Sequence, residues 1–201
     1  KNTGITHIKI GENRICTPEN EALGYVKEKV AGKVMNIKKV TVEKKSPGIG
    51  WGAVYAEFEE NMDQVNAQGN ALVVSRSLLR DGVSVSKGDL LQVGEKLTVV
   101  IRVTSDRDMD FVQIKDERAA CLEPVDALSG YRWNHQIGYY QEIKDSSTSF
   151  YLNQMRKGNH VLTYDVYVTT SGRYTQGVVT TESMYAPEFR AHGIGGSLSV
   201  K

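Results

Sequence analysis

Hydrophobic positions along this chain recur with a period of two. In Lys96–Thr104 the residues Leu97, Val99, Ile101 and Val103 share one face, mostly opposed by Lys96, Thr98, Arg102 and Thr104. In Val161–Thr169 the face Leu162, Tyr164, Val166, Val168 opposes Thr163, Asp165 and Thr169. Successive side chains of a strand point to opposite sides of a sheet, so this pattern predicts strands buried on one face. Weaker runs predict strands at Thr6–Ile10, Asn36–Glu43, Trp51–Phe58, Leu72–Leu79 and Phe111–Ile114. Others lie at Ile137–Ile143, Ser149–Met155, Thr175–Met184 and Ser197–Val200. Turn chemistry separates them: Ser46-Pro47-Gly48, Asp81-Gly82, Lys87-Gly88-Asp89, Lys157-Gly158-Asn159 and Ser171-Gly172. No long helical face is present. Short strands with turns about every ten residues predict an all-β chain built of antiparallel β-sandwich domains.

The polar stretch Glu59–Asn70 breaks the alternation and reads as a linker. It separates a smaller unit, residues 1–62, from a larger sandwich, residues 63–201. About sixty residues is thin for an independent sandwich, so the first unit is expected to need further sequence.

Composition narrows the function classes. The 201 residues carry 25 Lys and Arg against 24 Asp and Glu, a net charge of +1. A nucleic-acid surface needs a clustered basic excess, which this balance does not supply. No apolar run approaches the roughly 18 residues of a membrane-spanning helix. Mixed charge and plentiful strand formers argue against disorder. The chain starts at Lys1 without Met or a signal-peptide pattern, and reads as a piece of something longer. Cys16 and Cys121 are too few for a disulfide framework or a four-ligand zinc site, and leave open a single bridge or two thiols.

Several motifs invite chemistry and fall short of it. Asp106-Arg107-Asp108-Met109-Asp110 has the D-x-D-x-D spacing of a calcium loop, with Glu117 at the twelfth position. The sixth position is Phe111 where that loop needs Gly, so a solvated acidic turn is the expected reading. Gly48-Ile49-Gly50-Trp51-Gly52 and Gly193-Ile194-Gly195-Gly196 lack the following helix that phosphate loops require, and read as turns. Ser84-Val85-Ser86-Lys87 matches S-x-x-K, but Gly88 follows at once and no helix holds the pair. His7, His135, His160 and His192 share no ligand spacing. Cys121-Leu122-Glu123-Pro124 is one residue away from a Cys-x-Glu-Gln thioester segment. Pro124 has no amide for the thiol to acylate, so Cys121 is expected to be a buried thiol in an irregular connection. No motif supplies a nucleophile with its base, and neither enzyme nor cofactor chemistry is expected.

The C-terminal half resembles the bacterial alpha-2-macroglobulin family. The resemblance is carried by Arg107–Ala120, Glu123-Pro124-Val125, Leu128-Ser129-Gly130-Tyr131, Lys157–Asp165 and above all Ser183–His192. Upstream, Trp51-Gly52-Ala53-Val54-Tyr55 is similar to the strand that ends the family's CUB-like domain. The resemblance implies that residues 1–62 are the second half of a CUB-like domain and residues 63–201 the last macroglobulin-type sandwich. It implies a non-catalytic interdomain module of a protease-trapping protein, periplasmic or at the cell surface, anchored through its missing N-terminus. Its partners would be upstream domains of the same polypeptide, a thioester-type domain among them, and a target protease; neither nucleic acid nor a small-molecule substrate is implied.

The closing motif implies a specific role. Met184 and Tyr185 match a pair that packs over the thioester and keeps water out, with Pro187 and Glu188 beside them. A core contact within the last sandwich, with Pro187 ending the strand, accounts for the same residues equally well. The rival function is a stand-alone sandwich that binds glycans or protein partners. Trp133, Tyr131, Tyr139 and Tyr140 form the cluster that could serve it, although packing in the core or between domains is the expected use.

Overall fold

The computed structural model describes residues 6–10, 13–16, 27, 29, 39–45, 47, 49–55, 57, 59–134 and 137–201, with residues 6 and 13–16 described by their backbone. The chain divides into two compact units, Lys1–Glu59 and Glu60–Lys201.

In the first unit β1 (Thr6–Ile10), β2 (Asn13–Cys16) and β3 (Val40–Lys44) form an antiparallel sheet in the order β2-β1-β3. β1 lies where the alternation predicts it. β3 occupies the end of the predicted strand Asn36–Glu43, whose positions 36–38 lie outside the described residues. The strand expected at Trp51–Phe58 is not formed over residues 51–55, where Trp51, Val54 and Tyr55 are exposed. An alternating segment becomes a strand only beside a pairing partner, and no strand pairs with it among the described residues.

The second unit runs through β4 (Gln68–Gly69), β5 (Leu72–Arg80), β6 (Val83–Ser84), β7 (Leu90–Leu91), β8 (Lys96–Ser105) and β9 (Met109–Glu117). It continues with β10 (Leu122–Pro124), β11 (Gly130–Trp133), β12 (Gly138–Ile143), β13 (Ser147–Met155) and β14 (Gly158–Val168). β15 (Gly172–Gln176), β16 (Val179–Ser183), β17 (Ala186–His192) and β18 (Gly196–Val200) complete it. An antiparallel sheet of five strands, β10-β14-β8-β5-β6, faces one of seven, β11-β12-β13-β9-β16-β17-β4. A small third sheet, β15-β18-β7, adds Leu91, Leu198 and Val200 to the core.

The core is made by the inner faces of the two large sheets. Leu97, Val99, Ile101 and Val103 of β8 are buried with Leu162 and Val166 of β14, against Val112, Ile114, Phe150 and Leu152 of the facing sheet. Phe150 joins the layers, with ring centroids 5.6 Å from Tyr139 and 6.0 Å from Tyr164. Pro124 lies on β10, an edge strand, where a missing N–H is tolerated.

Two expectations need correction. The predicted strand Thr175–Met184 is two strands in different sheets: the chain leaves the small sheet at Gln176 and enters the large one at Val179. Glycine suits the corner at Gly177, because a Cβ there would press into the side chain and carbonyl of Glu117. Nor is Glu59–Asn70 a free linker. Met62–Gln64 forms a 3-10 turn, Gly195 N–H donates to the Val65 carbonyl at 3.0 Å, and β4 pairs with β17. A Cβ at Gly195 would collide with the Met62 carbonyl. Gly195→Ala is therefore expected to cost the sandwich about 1–3 kcal/mol through overpacking. Urea unfolding would measure this, and an unchanged midpoint would mean the segment is only loosely laid on.

A buried ionic cluster ties the sheets together. Arg76 of β5 pairs with Asp116 of β9 at 2.5 Å, their side chains 6% and 1% exposed. The Tyr164 hydroxyl of β14 donates to the other Asp116 oxygen at 2.7 Å. The remaining Arg76 donors reach the Glu117 and Gly177 carbonyls at 3.0 and 2.6 Å. Beside it, buried Arg118 donates to Thr148 Oγ1 and to the carbonyls of Lys144 and Asp145.

Candidate functional site

The closing motif forms a hairpin tip. Ser183 of β16 pairs with Ala186 of β17, leaving Met184 and Tyr185 as the two loop residues. The register then shifts, so Pro187, Glu188 and Phe189 bulge before Arg190 meets Glu182. A bulge accommodates a residue without an N–H, which is why Pro187 sits near the start of β17 instead of ending a strand. Asn70 Nδ2 donates to the Glu188 carbonyl at 2.6 Å, and the Arg107 guanidinium lies 4.8 Å over the Phe189 ring. These contacts fix the base of the tip.

The tip points outward. Met184 is 51% and Tyr185 80% exposed, and Pro187 and Glu188 are exposed beside them. A core role for Met184 and Tyr185 within the sandwich is thereby overturned. Beneath them Phe111 adopts a left-handed conformation, φ 52°, rare for a bulky side chain and costing about 1–3 kcal/mol. It accepts the Met184 N–H on its carbonyl at 2.9 Å and meets the Tyr185 ring edge-on, with centroids 5.1 Å apart. Strain is thus stored where two apolar side chains are held away from their own core.

The aromatic cluster is divided. Tyr139 is in the core and its hydroxyl pKa is raised by burial. Tyr131 and Trp133, on edge strand β11, are 82% and 79% exposed, while Tyr140 is half-buried on the same outer face. Of the two expected uses, packing in the core fails for Tyr131 and Trp133, and packing between domains is the one their exposure leaves. Sequence reasoning missed β11 because four residues with one polar position carry little alternation.

The remaining motifs resolve into local structure. Asp106 pairs with Arg107 at 2.8 Å, Asp108 accepts the Lys157 N–H at 2.7 Å, and Glu117 pairs with Lys115 at 2.8 Å. Asp106, Asp108 and Glu117 of the supposed calcium loop are thus engaged separately. Gly193 and Gly195 donate their N–H groups to the Val179 and Val65 carbonyls, which removes them as anion donors. Ser84 lies on β6 and Lys87 in the following turn, with no helix to bring them together. His160 is buried with Nε2 2.6 Å from the Arg156 carbonyl, and His135 lies outside the described residues. Cys121 is a buried free thiol whose pKa is raised by desolvation, the opposite of an activated nucleophile; the Cys16 side chain lies outside the description. An open cleft lined by Asp63, Lys87, Arg173, Thr175, Ser197 and Ser199 brings together charges and hydroxyls but no activated nucleophile.

The model of the bacterial alpha-2-macroglobulin MG10 domain matches residues 72–188. This chain belongs to that family. It is similar to Salmonella alpha-2-macroglobulin reacted with methylamine, with 23% identity and a TM-score of 0.58 over 69% of this chain and 10% of that one. Native Escherichia coli alpha-2-macroglobulin from domain MG7 to its C-terminus gives 20% identity and a TM-score of 0.58, covering 69% and 25%. The E. coli protein activated by porcine elastase is 16% identical with a TM-score of 0.59, covering 98% of this chain and 18% of that one. A curated relative, circularly permutated Ras protein 2 of Dictyostelium discoideum, is 26% identical over 98 residues, 49% of this chain and 2% of its own length. At these identities the solved structures establish the fold, and this chain spans a quarter or less of each. The larger unit is a macroglobulin-type β-sandwich, not a known catalytic fold.

Proposed function

We propose that this chain is the non-catalytic C-terminal part of an alpha-2-macroglobulin-like protease trap of the cell envelope. In this reading residues 1–62 complete a CUB-like domain, residues 63–201 are its last macroglobulin-type domain, and the hairpin tip covers an upstream thioester. The observation that carries it is the exposure of Met184 and Tyr185 on a tip strained into place by Phe111. A thioether and an aromatic ring can exclude water from a reactive carbonyl, but only if they project to a neighbouring domain. The exposed Trp51 and Tyr55 of the first unit support a further interface, with sequence upstream. Similarity to a relative reacted with methylamine, a nucleophile of the kind that opens thioesters, and to one activated by elastase is in keeping with it.

The test uses the full-length parent incubated with proteases of different specificity. A confined early cut is expected, with activity on large substrates lost and on small peptides kept. Scattered digestion with both activities untouched would reject the trap.

The exposed Tyr131 and Trp133 favour a second reading, a sandwich that binds glycans. Immobilised glycans should retain none of the chain if the trap reading is right.

A further inference from the structure

The outer face of the small sheet lines an open polar cleft of about 520 Å³. β15 and β18 pair Arg173 with Ser199 and Thr175 with Ser197, while the alternate pair Tyr174–Leu198 turns to the core. Alternation thus puts one guanidinium and three hydroxyls on a single face, with opposed Cβ atoms about 5 Å apart. Two turns supply the walls. Lys87 and Gly88 are the central residues of a turn in which the Asp89 N–H donates to the Ser86 carbonyl at 3.1 Å. Gly88 takes φ 98° there, a conformation glycine adopts without strain. The 3-10 turn Met62–Gln64 lies against β15 and β18 and brings in Asp63, and the Gly195–Val65 hydrogen bond holds it in place.

The ions of this cleft are unpaired. Asp63, Lys87 and Arg173 are exposed, and their side chains make no hydrogen bond or ion pair with one another or with any other described residue. Asp89, in the Lys87 turn, is different, because its carboxylate accepts the Ser86 N–H at 2.7 Å. Two cations and one carboxylate that share a space without pairing suit a ligand with an anion and a separate donor. A bare anion would meet repulsion from Asp63, and an ammonium would meet it from Lys87 and Arg173. A hydroxyl gives Asp63 its donor without adding charge. The guanidinium fork, the ammonium and three hydroxyls exceed what the two oxygens of a carboxylate can use. They match the three terminal oxygens of a phosphate. The volume is that of a small-molecule site, with room for more than the phosphate alone.

We infer that this cleft binds the phosphate ester of a small polyol. The phosphate lies on Arg173 and Lys87 among the hydroxyls of Thr175, Ser197 and Ser199, and a ligand hydroxyl donates to Asp63. The site is built on a different sheet from the hairpin tip and does not depend on the tip's proposed role.

Equilibrium dialysis of the full-length parent against radiolabelled glycerol phosphate tests it. Fixed ionic strength and a pH of about 8, where phosphate monoesters are dianions, remove screening and protonation as variables. One equivalent is expected to bind, about fivefold or more tighter than methyl phosphate, which is the same dianion without a hydroxyl. Arg173→Gln and Lys87→Gln should each weaken glycerol phosphate about tenfold, the scale of a charge-assisted hydrogen bond. Both side chains are exposed, so neither change should disturb the fold. Asp63→Ala should abolish the preference over methyl phosphate while methyl phosphate itself binds more tightly. A change of charge alone would move both esters together. No binding at millimolar ester, undiminished binding in both cation variants, or a preference that survives Asp63→Ala would each overturn the site. Phosphatidylcholine vesicles doped with phosphatidylglycerol separate the sources of the ester. Retention of the parent above that of its Arg173→Gln variant would place it in a lipid headgroup. Equal retention, with the soluble ester bound, would make it a free small molecule.

Discussion

Asp116→Ala is expected to lower the unfolding free energy of the sandwich by about 3–5 kcal/mol, a large share of the 5–15 kcal/mol typical of a domain. The substitution strands the Arg76 guanidinium, 6% exposed, with two carbonyls and a Gln amide as its remaining partners. It also leaves the Tyr164 hydroxyl without an acceptor inside the core. The cost comes from the orphaned groups rather than from the ion pair itself. Hence the triple change Arg76→Met, Asp116→Leu, Tyr164→Phe should recover most of the loss. Urea denaturation measures both, and an alanine variant within 1 kcal/mol of the original would show the cluster to be hydrated.

The same cluster fixes an alkaline limit. Burial first, then the Asp116 carboxylate, holds the Tyr164 pKa well above the ordinary value of 10.0. The folded state therefore keeps a proton that the unfolded state loses above about pH 10. Stability is full below that pH and falls by about 1.4 kcal/mol per pH unit until Tyr164 ionises in the folded state. Tyr164→Phe should remove this one-proton slope, leaving whatever Tyr139 and Tyr151, raised mainly by desolvation, contribute. An identical slope in the variant would contradict the assignment.

This cluster was legible in the chain, although sequence reading passed over it. Leu72, Val74, Arg76 and Leu78 share a parity, as do Val112, Ile114 and Asp116, and Tyr164 lies inward by the same rule. Charge suggested surface and alternation said core; alternation governed, because three polar groups can satisfy one another. Parity also turned Met184 outward from Val179, Thr181 and Ser183. The left-handed turn at Phe111 had no such signal, since non-glycine residues reach that region only under tertiary constraint. The long runs at Lys96–Thr104 and Val161–Thr169 matched β8 and β14 because long half-buried strands average out single exceptions. Short β11 and the bulged β17 did not repeat often enough to show. Residues 51–55 show alternation without a strand among the described residues, which locates the missing information in the pairing partner rather than in the segment.

Met184→Ala combined with Tyr185→Ala in the full-length parent is expected to raise spontaneous thiol release about tenfold or more, the loss that removal of interface anchors brings. Both side chains are exposed here, so their truncation should leave the sandwich's own unfolding free energy, from urea denaturation, within about 0.5 kcal/mol of the original. That separates a shielding role from a folding role. Phe111→Gly sharpens the test, because glycine adopts φ 52° without strain yet removes the ring that backs Tyr185. It should leave the domain as stable or more so while releasing thiol faster, an opposition that general damage cannot produce. A thiol-reactive chromophore follows release with time, and methylamine sets the total available. Unchanged release in both variants would refute shielding by the tip. A parent that yields no thiol even with methylamine has no thioester for the tip to cover, and would refute it as directly.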